Sequence, residues 1–163
     1  MKQVLLAIFI VACFSSAVLA GLTRVYVIVN MDDAPIEILE FGKSSGEDED
    51  HIISVVKYKR RTDRDIEALA ITMLYYNAFN EKQDGVRGIS TYRLVTELEN
   101  TWAWSIYGKP DLVKTAIAFV SAVRFWPDGE IWKADIDEVF RIAGNMAELS
   151  FLSETEMLEI EKE

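Results

Sequence analysis

HIISVVKYKRRTDRDIEALAITMLYYN, residues 51–77, is the stretch that decides the fold, because the spacing of its apolar side chains changes part of the way along. Residues 51–59 alternate with a period of two, which is typical of a β-strand. One face would carry Ile52, Ser54, Val56 and Tyr58, and the other Ile53, Val55, Lys57 and Lys59. From Thr62 onward the period becomes three to four, which predicts a helix capped by Thr62 or Asp63. The stripe of that helix would carry Ile66, Leu69, Ala70, Met73 and Asn77.

Two further strands are predicted upstream of this change. Residues 24–30 (RVYVIVN) are β-branched and apolar on both faces, so they indicate a buried strand. Residues 31–35 have the Asp and Pro chemistry of a tight turn, and residues 36–41 alternate again. The polar, acidic residues 43–50 predict a surface loop. The simplest pairing of these strands with residues 51–59 is an antiparallel three-stranded meander.

Downstream, the sequence predicts a mostly helical region. Gly85 and Gly88 would end the first helix, and a capping box from Ser153 onward begins a short acidic one. Between them, helices are predicted over residues 91–107, 111–125 and 133–149. The turn at residues 126–129 leaves an alternative open, a hairpin within residues 120–134. The predicted fold class is therefore α+β, an N-terminal three-stranded antiparallel meander followed by a four- to five-helix region.

The N-terminal residues 1–20 read as a Sec-type export signal. Lys2 provides the positive charge, an apolar run follows, and Ala20 precedes a plausible cleavage site before Gly21. Because the apolar run is 19 residues long, an uncleaved membrane anchor is an alternative. Another alternative is a lipobox ending at Cys13, in which a lipid on this cysteine would attach the protein to a membrane.

All three interpretations place the remainder of the chain outside the cytosol. The predicted location is extracytoplasmic, periplasmic or secreted, with membrane attachment only through residues 1–20 if they are not cleaved. Residues 21–163 are then a single acidic domain. Because Cys13 is the only cysteine, a cleaved body has no disulfide.

Charge narrows the class of partner. Residues 21–163 carry 16 basic and 27 acidic side chains, a net charge of −11. Such a body repels phosphate backbones, so nucleic-acid binding is not expected. A protein with a basic surface is the favoured partner, because opposite charges speed association. Simple solubility is the competing explanation of the same charge.

The densest polar cluster is the acidic loop, defined here as Glu47, Asp48, Glu49 and Asp50, and it is the predicted binding site. Consecutive acids point in different directions, whereas calcium loops alternate their ligands around a Gly. No metal site is therefore predicted there, and a solvated hairpin loop is the alternative. His51 is the only histidine, so His-rich zinc sites are not expected.

Catalytic residues are poorly defined. No Gly-x-Ser-x-Gly elbow accompanies His51, so triad chemistry has no nucleophile. Glu67 and Glu81 are the weak candidates for carboxylate acid/base catalysis. No cofactor is predicted.

Residues 65–88 (DIEALAITMLYYNAFNEKQDGVRG) loosely resemble the opening of cell-wall hydrolases of the SleB/CwlJ type. The matching positions are Asp65, Glu67, Leu69, Ala70, Ala78, Glu81 and Gly85. Asn77 stands where that family has its catalytic Glu, and nothing after Ser90 matches. The resemblance implies a hydrolase without its acid, hence a binding module, and it does not assign the chain to the family.

The second half is rich in tryptophan. Trp102 and Trp104 on a helix would diverge by about 200 degrees, so they would not form one flat platform. Together with Trp126 and Trp132, they are predicted mainly to pack in the core.

Three functions follow from these observations. The first is an exported, acidic, non-enzymatic interaction protein of the inhibitor or immunity kind, acting in the cell envelope. The second is a small hydrolase of peptidoglycan or glycan using carboxylate chemistry. The third is a structural subunit of an envelope or virion assembly.

Overall fold

The described part of the protein is mostly β-sheet, with 56% of its residues in strands and 11% helical. The computed structural model describes residues 24–90, 99–146, 149, 151 and 152. The strands are β1 (Val25–Val29), β2 (Ile36–Lys43), β3 (His51–Arg60), β4 (Ile66–Tyr76), β5 (Lys82–Ser90), β6 (Glu99–Tyr107), β7 (Thr115–Phe125) and β8 (Ile131–Lys133). A short 3-10 helix, Pro110–Leu112, precedes β7, and one α-helix, α1 (Ile136–Gly144), follows β8.

The strands form two sheets. The larger sheet has the order β1-β7-β4-β5, and β8 pairs with the C-terminal end of β7. Within it, β1 runs parallel to β7, and the other pairs are antiparallel. The smaller sheet is antiparallel, with the order β2-β3-β6.

The larger sheet is the central layer, because each of its faces covers a separate core. One core lies between the sheets, where Ile71 and Met73 of β4 meet Ile38, Val56 and residues around them. The second core lies between the larger sheet and α1. It contains Val27, Val29, Leu74, Tyr76, Ile117, Phe119, Val139, Phe140, Ala143 and Leu149.

The helix begins where the sequence offers a cap. Asp135 accepts hydrogen bonds from the backbone N–H groups of Asp137 and Glu138, at 3.0 and 3.3 Å. Val139, Phe140 and Ala143 form its buried stripe. The helix predicted over residues 133–149 is therefore present but shorter.

The meander prediction is wrong at its first step. All three strands occur close to their predicted ranges, and β2 pairs with β3 as expected. However, β1 pairs with β7 in the other sheet, with Val25 opposite Thr115 and Val29 opposite Phe119. The reason is that β1 is apolar on both faces, which suits a central layer with a core on each side.

The helical region is also wrong, so the α+β assignment is overturned. The helix predicted from residue 62 is β4 followed by β5, and the helix over 111–125 is β7. Residues 99–107 of the helix predicted over 91–107 are β6. The hairpin alternative within 120–134 is confirmed, because β8 pairs antiparallel with β7 through Trp132 and Val123.

Two-sided burial explains why β4 resembled a helix. Met73 and Tyr75 face the core between the sheets, while Leu74 and Tyr76 face the helix-side core. Such a strand is a continuous apolar run, and periodicity cannot separate it from a buried helix. The β-bulges in its pairing, between Ile66 and Ala68 for example, disturb the alternation further.

Some predictions fall on other residues. The export signal or anchor at 1–20, its cleavage site at Ala20 and Gly21, and the capped helix from Ser153 lie outside the described residues. Among the helices of the described part of the chain, none is long and apolar enough to span a membrane.

Candidate functional site: an acid-rimmed groove at one end of the sheets

Three chain connections meet at one end of the molecule and form an open groove of about 790 Å³. They are the β1–β2 connection (residues 30–35), the β3–β4 connection (61–65) and the β7–β8 turn (126–130). Because β3 and β7 end here and β2 and β4 begin here, the strand pairings bring these connections together. We call this region the groove end.

Asn30 fixes the first connection. Its side-chain amide donates to the backbone carbonyl of Ile38, and its side-chain oxygen accepts from the Ile38 N–H, both at 2.9 Å. The paired bonds resemble those between adjacent strands, so they hold the end of β1 against β2 although the two strands lie in different sheets.

Arg64 organises the middle of the groove. Its guanidinium lies 3.8 Å from the centroid of the buried Phe125 ring. Its two terminal nitrogens lie 2.8 Å from Asp128 and 2.8 Å from Glu130, both in or beside the β7–β8 turn. A guanidinium over an aromatic face and between two carboxylates loses much of its freedom, so Arg64 is presented in a defined orientation.

Trp132 closes one side of the groove. Its indole N–H donates to the Asp33 carboxylate at 3.1 Å, which joins β8 to the β1–β2 connection. On the opposite side, Arg61 donates to the Met31 carbonyl at 3.2 Å and lies 3.4 Å from the Glu37 carboxylate. These bonds tie the walls together without filling the groove.

The groove end combines exposed apolar side chains with negative charge. Trp126 is 46% exposed and Ile131 is 53% exposed, one in the β7–β8 turn and the other beginning β8. The three connections carry six carboxylates and two arginines. Their carboxylates are Asp32, Asp33, Asp63, Asp65, Asp128 and Glu130. The groove end is thus acidic, and it carries an aromatic and an aliphatic side chain that are exposed to solvent.

The acidic loop lies at the opposite end of the molecule, and Glu47 within it is buried. The side chain of Glu47 is only 1% exposed, and its carboxylate lies 2.8 Å from Arg24 and 3.0 Å from Lys43. Burial opposes ionisation of Glu47, but the bonds from Arg24 and Lys43 outweigh it and lower its pKa. Arg24 also donates to the Pro110 carbonyl, so Glu47 anchors the loop internally.

The other three acids of the loop point to solvent. Asp48 accepts from the backbone N–H of Asp50 at 3.0 Å and lies 2.9 Å from the His51 ring nitrogen. The Asp50 backbone bond and then the His51 contact lower the pKa of Asp48. Glu49 and Asp50 are exposed. Of the four predicted binding residues, three therefore face solvent. The fourth, Glu47, is buried in ion pairs within the protein.

The two catalytic candidates lie at opposite ends of β4. Glu67 pairs with Arg124 at 2.9 Å near its start, and Glu81 accepts from Asn77 at 2.7 Å beyond its end. Tyr76 lies nine positions after Glu67 along the strand, which corresponds to roughly 30 Å. Paired carboxylates in glycosidases lie within about 10 Å, so these two do not form such a pair.

The tryptophans at 102 and 104 follow strand geometry. They lie on one face of β6 with ring centroids 6.2 Å apart, nearly parallel, and pack against the core between the sheets. The predicted divergence is therefore wrong, because residues two apart share a face in a strand. Likewise, residues 65–88 form β4 and β5, not the leading helix that the cell-wall hydrolase resemblance implied.

Metal ligands are not gathered anywhere in residues 24–90 or 99–146. No group of three or more His, Cys, Asp or Glu side chains there is placed to hold an ion.

Comparisons with known proteins give no family. No family model matches the sequence, and no curated protein does. Among solved structures, a hypothetical protein from Peptoclostridium difficile 630 is 13% identical, with a TM-score of 0.41, over 68% of this chain and 91% of that one. A structural-genomics target designated SoR45 is 10% identical, with a TM-score of 0.40, over 64% and 82%. Both TM-scores lie below 0.5, so neither likeness assigns a function.

The sequence had not singled out the groove end. The first and third connections were recognised only as turns, and residues 61–65 were assigned to the start of a helix. The side chains of the three connections lie up to about a hundred residues apart along the chain. The one local signal was Trp126-Pro127-Asp128-Gly129, in which a tryptophan occupies a turn that usually holds polar residues.

Proposed function

We propose that this protein is a non-enzymatic interaction module of the inhibitor or immunity kind, acting in the cell envelope, and that it binds its partner through the groove end. The observation that carries the proposal is the exposure of Ile131, which lines the acid-rimmed groove, and of Trp126, which lies in the neighbouring β7–β8 turn. Large apolar groups that converge on a concave surface, with an ordered arginine beside them, are typical of the centre of a protein interface.

The charge distribution selects the partner's chemistry. Six carboxylates against two arginines in the three connections favour a basic surface, in line with the net charge of −10 of the whole chain. Trp126 and Ile131 favour an apolar side chain among those basic groups. A lysine- or arginine-rich segment with an aliphatic or aromatic anchor fits both requirements, and its charges would speed the encounter.

The same groove gives little support to catalysis. Arg64 pairs with Asp128 and Glu130, and Asp33 accepts from Trp132, so these carboxylates are engaged. Binding of a partner, in contrast, requires only that the partner displace water from the rim and carry charges opposite to those of the rim.

Pull-down from envelope extracts at low salt tests the proposal. We expect W126A and I131D each to reduce recovery of the specific partner at least about tenfold, as hot-spot substitutions do. Phe79 is the matched control, because it is 82% exposed but lies in the β4–β5 turn at the other end of the molecule. If F79A reduces recovery as much as W126A, or if no basic protein is recovered, the groove end is not the binding surface.

A further inference from the structure

A second groove lies on the helix-side face of the central sheet. The helix α1 packs there through Val139, Phe140 and Ala143, which meet Val27 and Val29 of β1. Beyond the helix, a groove of about 420 Å³ opens over β4, β5 and β7. That volume is in the range of small-molecule sites.

The floor of this groove is apolar. Leu74 and Phe119 are 4% and 1% exposed and form its base, and Ala134 and Ile136 line the side nearest the helix. Ser121 adds a hydroxyl, which already donates to the Ala70 carbonyl at 3.3 Å. The floor therefore offers contact to a hydrocarbon group and few polar partners.

The rim of this groove is positively charged. Lys82 and Arg87 come from β5, where they lie opposite Tyr76 and Thr72, so they share the helix-side face. Lys133 comes from β8 on the other side. No Asp or Glu is found among the described side chains that line this groove.

Among the described residues, Arg87 and Lys133 stand out because most of the other cations are neutralised. Ion pairs with carboxylates engage Arg24, Lys43, Lys57, Lys59, Arg61, Arg64, Arg124 and Arg141. Within the part of the chain that the structure describes, Arg87 and Lys133 form no such pair. Two cations that no acid of the described residues neutralises thus line one apolar groove, one from β5 and the other from β8.

We propose that this groove binds a long-chain carboxylate, a small amphiphile with one anionic head. Its carboxylate would lie between Arg87 and Lys133, where a guanidinium can donate two parallel hydrogen bonds. Its alkyl chain would cover Leu74 and Phe119. A neutral amphiphile would not neutralise the two cations, and a small inorganic anion would leave the apolar floor exposed to water. The charged rim and the apolar floor together therefore select an anion with an apolar tail.

Calorimetric titration of the purified protein with decanoate tests the proposal, with decanol as the neutral analogue. We expect saturable binding of decanoate at one site and much weaker binding of decanol. R87Q and K133Q should each weaken decanoate binding about tenfold, the effect of losing one charged hydrogen bond. K109Q is the matched control, because Lys109 is exposed, precedes the 3-10 helix and does not line this groove.

Three results would overturn the proposal. Equal binding of decanol and decanoate would remove the role of the charged rim. Equal effects of R87Q, K133Q and K109Q would place the ligand elsewhere. Finally, if a synthetic peptide of residues 153–163 (SETEMLEIEKE) binds while decanoate does not, the site belongs to an acidic segment of the chain itself. Thermal unfolding of each variant confirms that these exposed substitutions leave the fold intact.

Discussion

Glu47 shows how one residue in an acidic cluster can have a structural role that its neighbours lack. It lies beside Asp48, Glu49 and Asp50 in the sequence, yet its side chain is only 1% exposed. It forms an ion pair with Arg24, whose side chain is 10% exposed. Through that arginine it joins the β2–β3 loop to the start of β1 and to Pro110. A buried charge pair is strongly destabilised when one partner alone is removed.

Glu47→Gln should lower the free energy of unfolding by about 2 kcal/mol near neutral pH, because it leaves Arg24 without its countercharge. The pKa of Glu47 is lowered in the folded state, so its contribution is present above the unfolded pKa of about 4.3 and is lost as pH falls through the folded value. The difference between wild type and E47Q should therefore shrink in acid. Urea unfolding across that pH range measures it.

Glu49→Gln provides the control for that series. Glu49 is exposed in the same loop, so E49Q should change stability by less than about 0.5 kcal/mol. Equal effects of E47Q and E49Q would contradict the structural role of the buried pair.

Gly88→Ala should destabilise the protein by about 1–3 kcal/mol, the usual effect of overpacking. A Cβ at Gly88 would overlap the indole nitrogen of Trp104, because β5 and β6 approach each other closely between the two sheets. At Gly42 a Cβ would meet nothing within 4 Å, so G42A should be nearly neutral. Denaturant midpoints of the two variants check this, and equal shifts would argue against the close approach.

At the scale of elements, the β4–β5 turn is held by its own polar groups. The Asn77 side-chain oxygen accepts from the backbone N–H groups of Phe79 and Glu81 at 2.8 and 3.0 Å, and its amide donates to the Glu81 carboxylate. Asn80 completes the turn with φ of +63°. Asn tolerates this left-handed conformation better than residues with other side chains.

Asn80→Ala should therefore cost about 1 kcal/mol, because Ala carries a Cβ into the left-handed region without the local bonding of Asn. Asn80→Gly should be close to neutral, since Gly adopts positive φ freely. Thermal unfolding distinguishes the two. A loss that is the same for N80A and N80G would show that the side chain of Asn80 matters and its backbone conformation does not.

On the scale of the whole molecule, the central sheet links two cores. Ile117 and Phe119 of β7 face the helix-side core, while Ala116 and Ala118 face the core between the sheets. Loss of this strand would expose both cores together. The layers should therefore unfold in one transition.

Phe140→Ala in α1 should lower the free energy of unfolding by about 3–5 kcal/mol, because it leaves a cavity in the helix-side core. Fluorescence reports on tryptophans such as Trp102 and Trp104 in the other core, and far-ultraviolet circular dichroism reports on the sheets. Both signals should shift to the same lower midpoint. Separate midpoints would mean that the two cores unfold independently.

The sequence predicted several elements correctly because their signals are local. The strand of residues 51–59 alternates strictly, and Ile52, Ser54, Val56 and Tyr58 are indeed its buried side. The turn at residues 126–129 indicated a hairpin as an alternative, and the structure contains that hairpin between β7 and β8. The helix predicted over residues 133–149 is present as α1, whose buried side is Val139, Phe140 and Ala143. In β3 and α1 one face is buried, and the period of the apolar pattern follows from that.

By itself, the sequence determined the first three strands, the pairing of β2 with β3, the position of α1 and the acidic charge. Only the tertiary structure decided that residues 66–76 and 115–125 are strands, that β1 joins β7, and that Ile131 and Arg64 line one groove. The physical reason is burial on both faces of the central sheet. It erases the alternation that marks a strand, and the pairing of β1 with β7 joins residues about 90 positions apart.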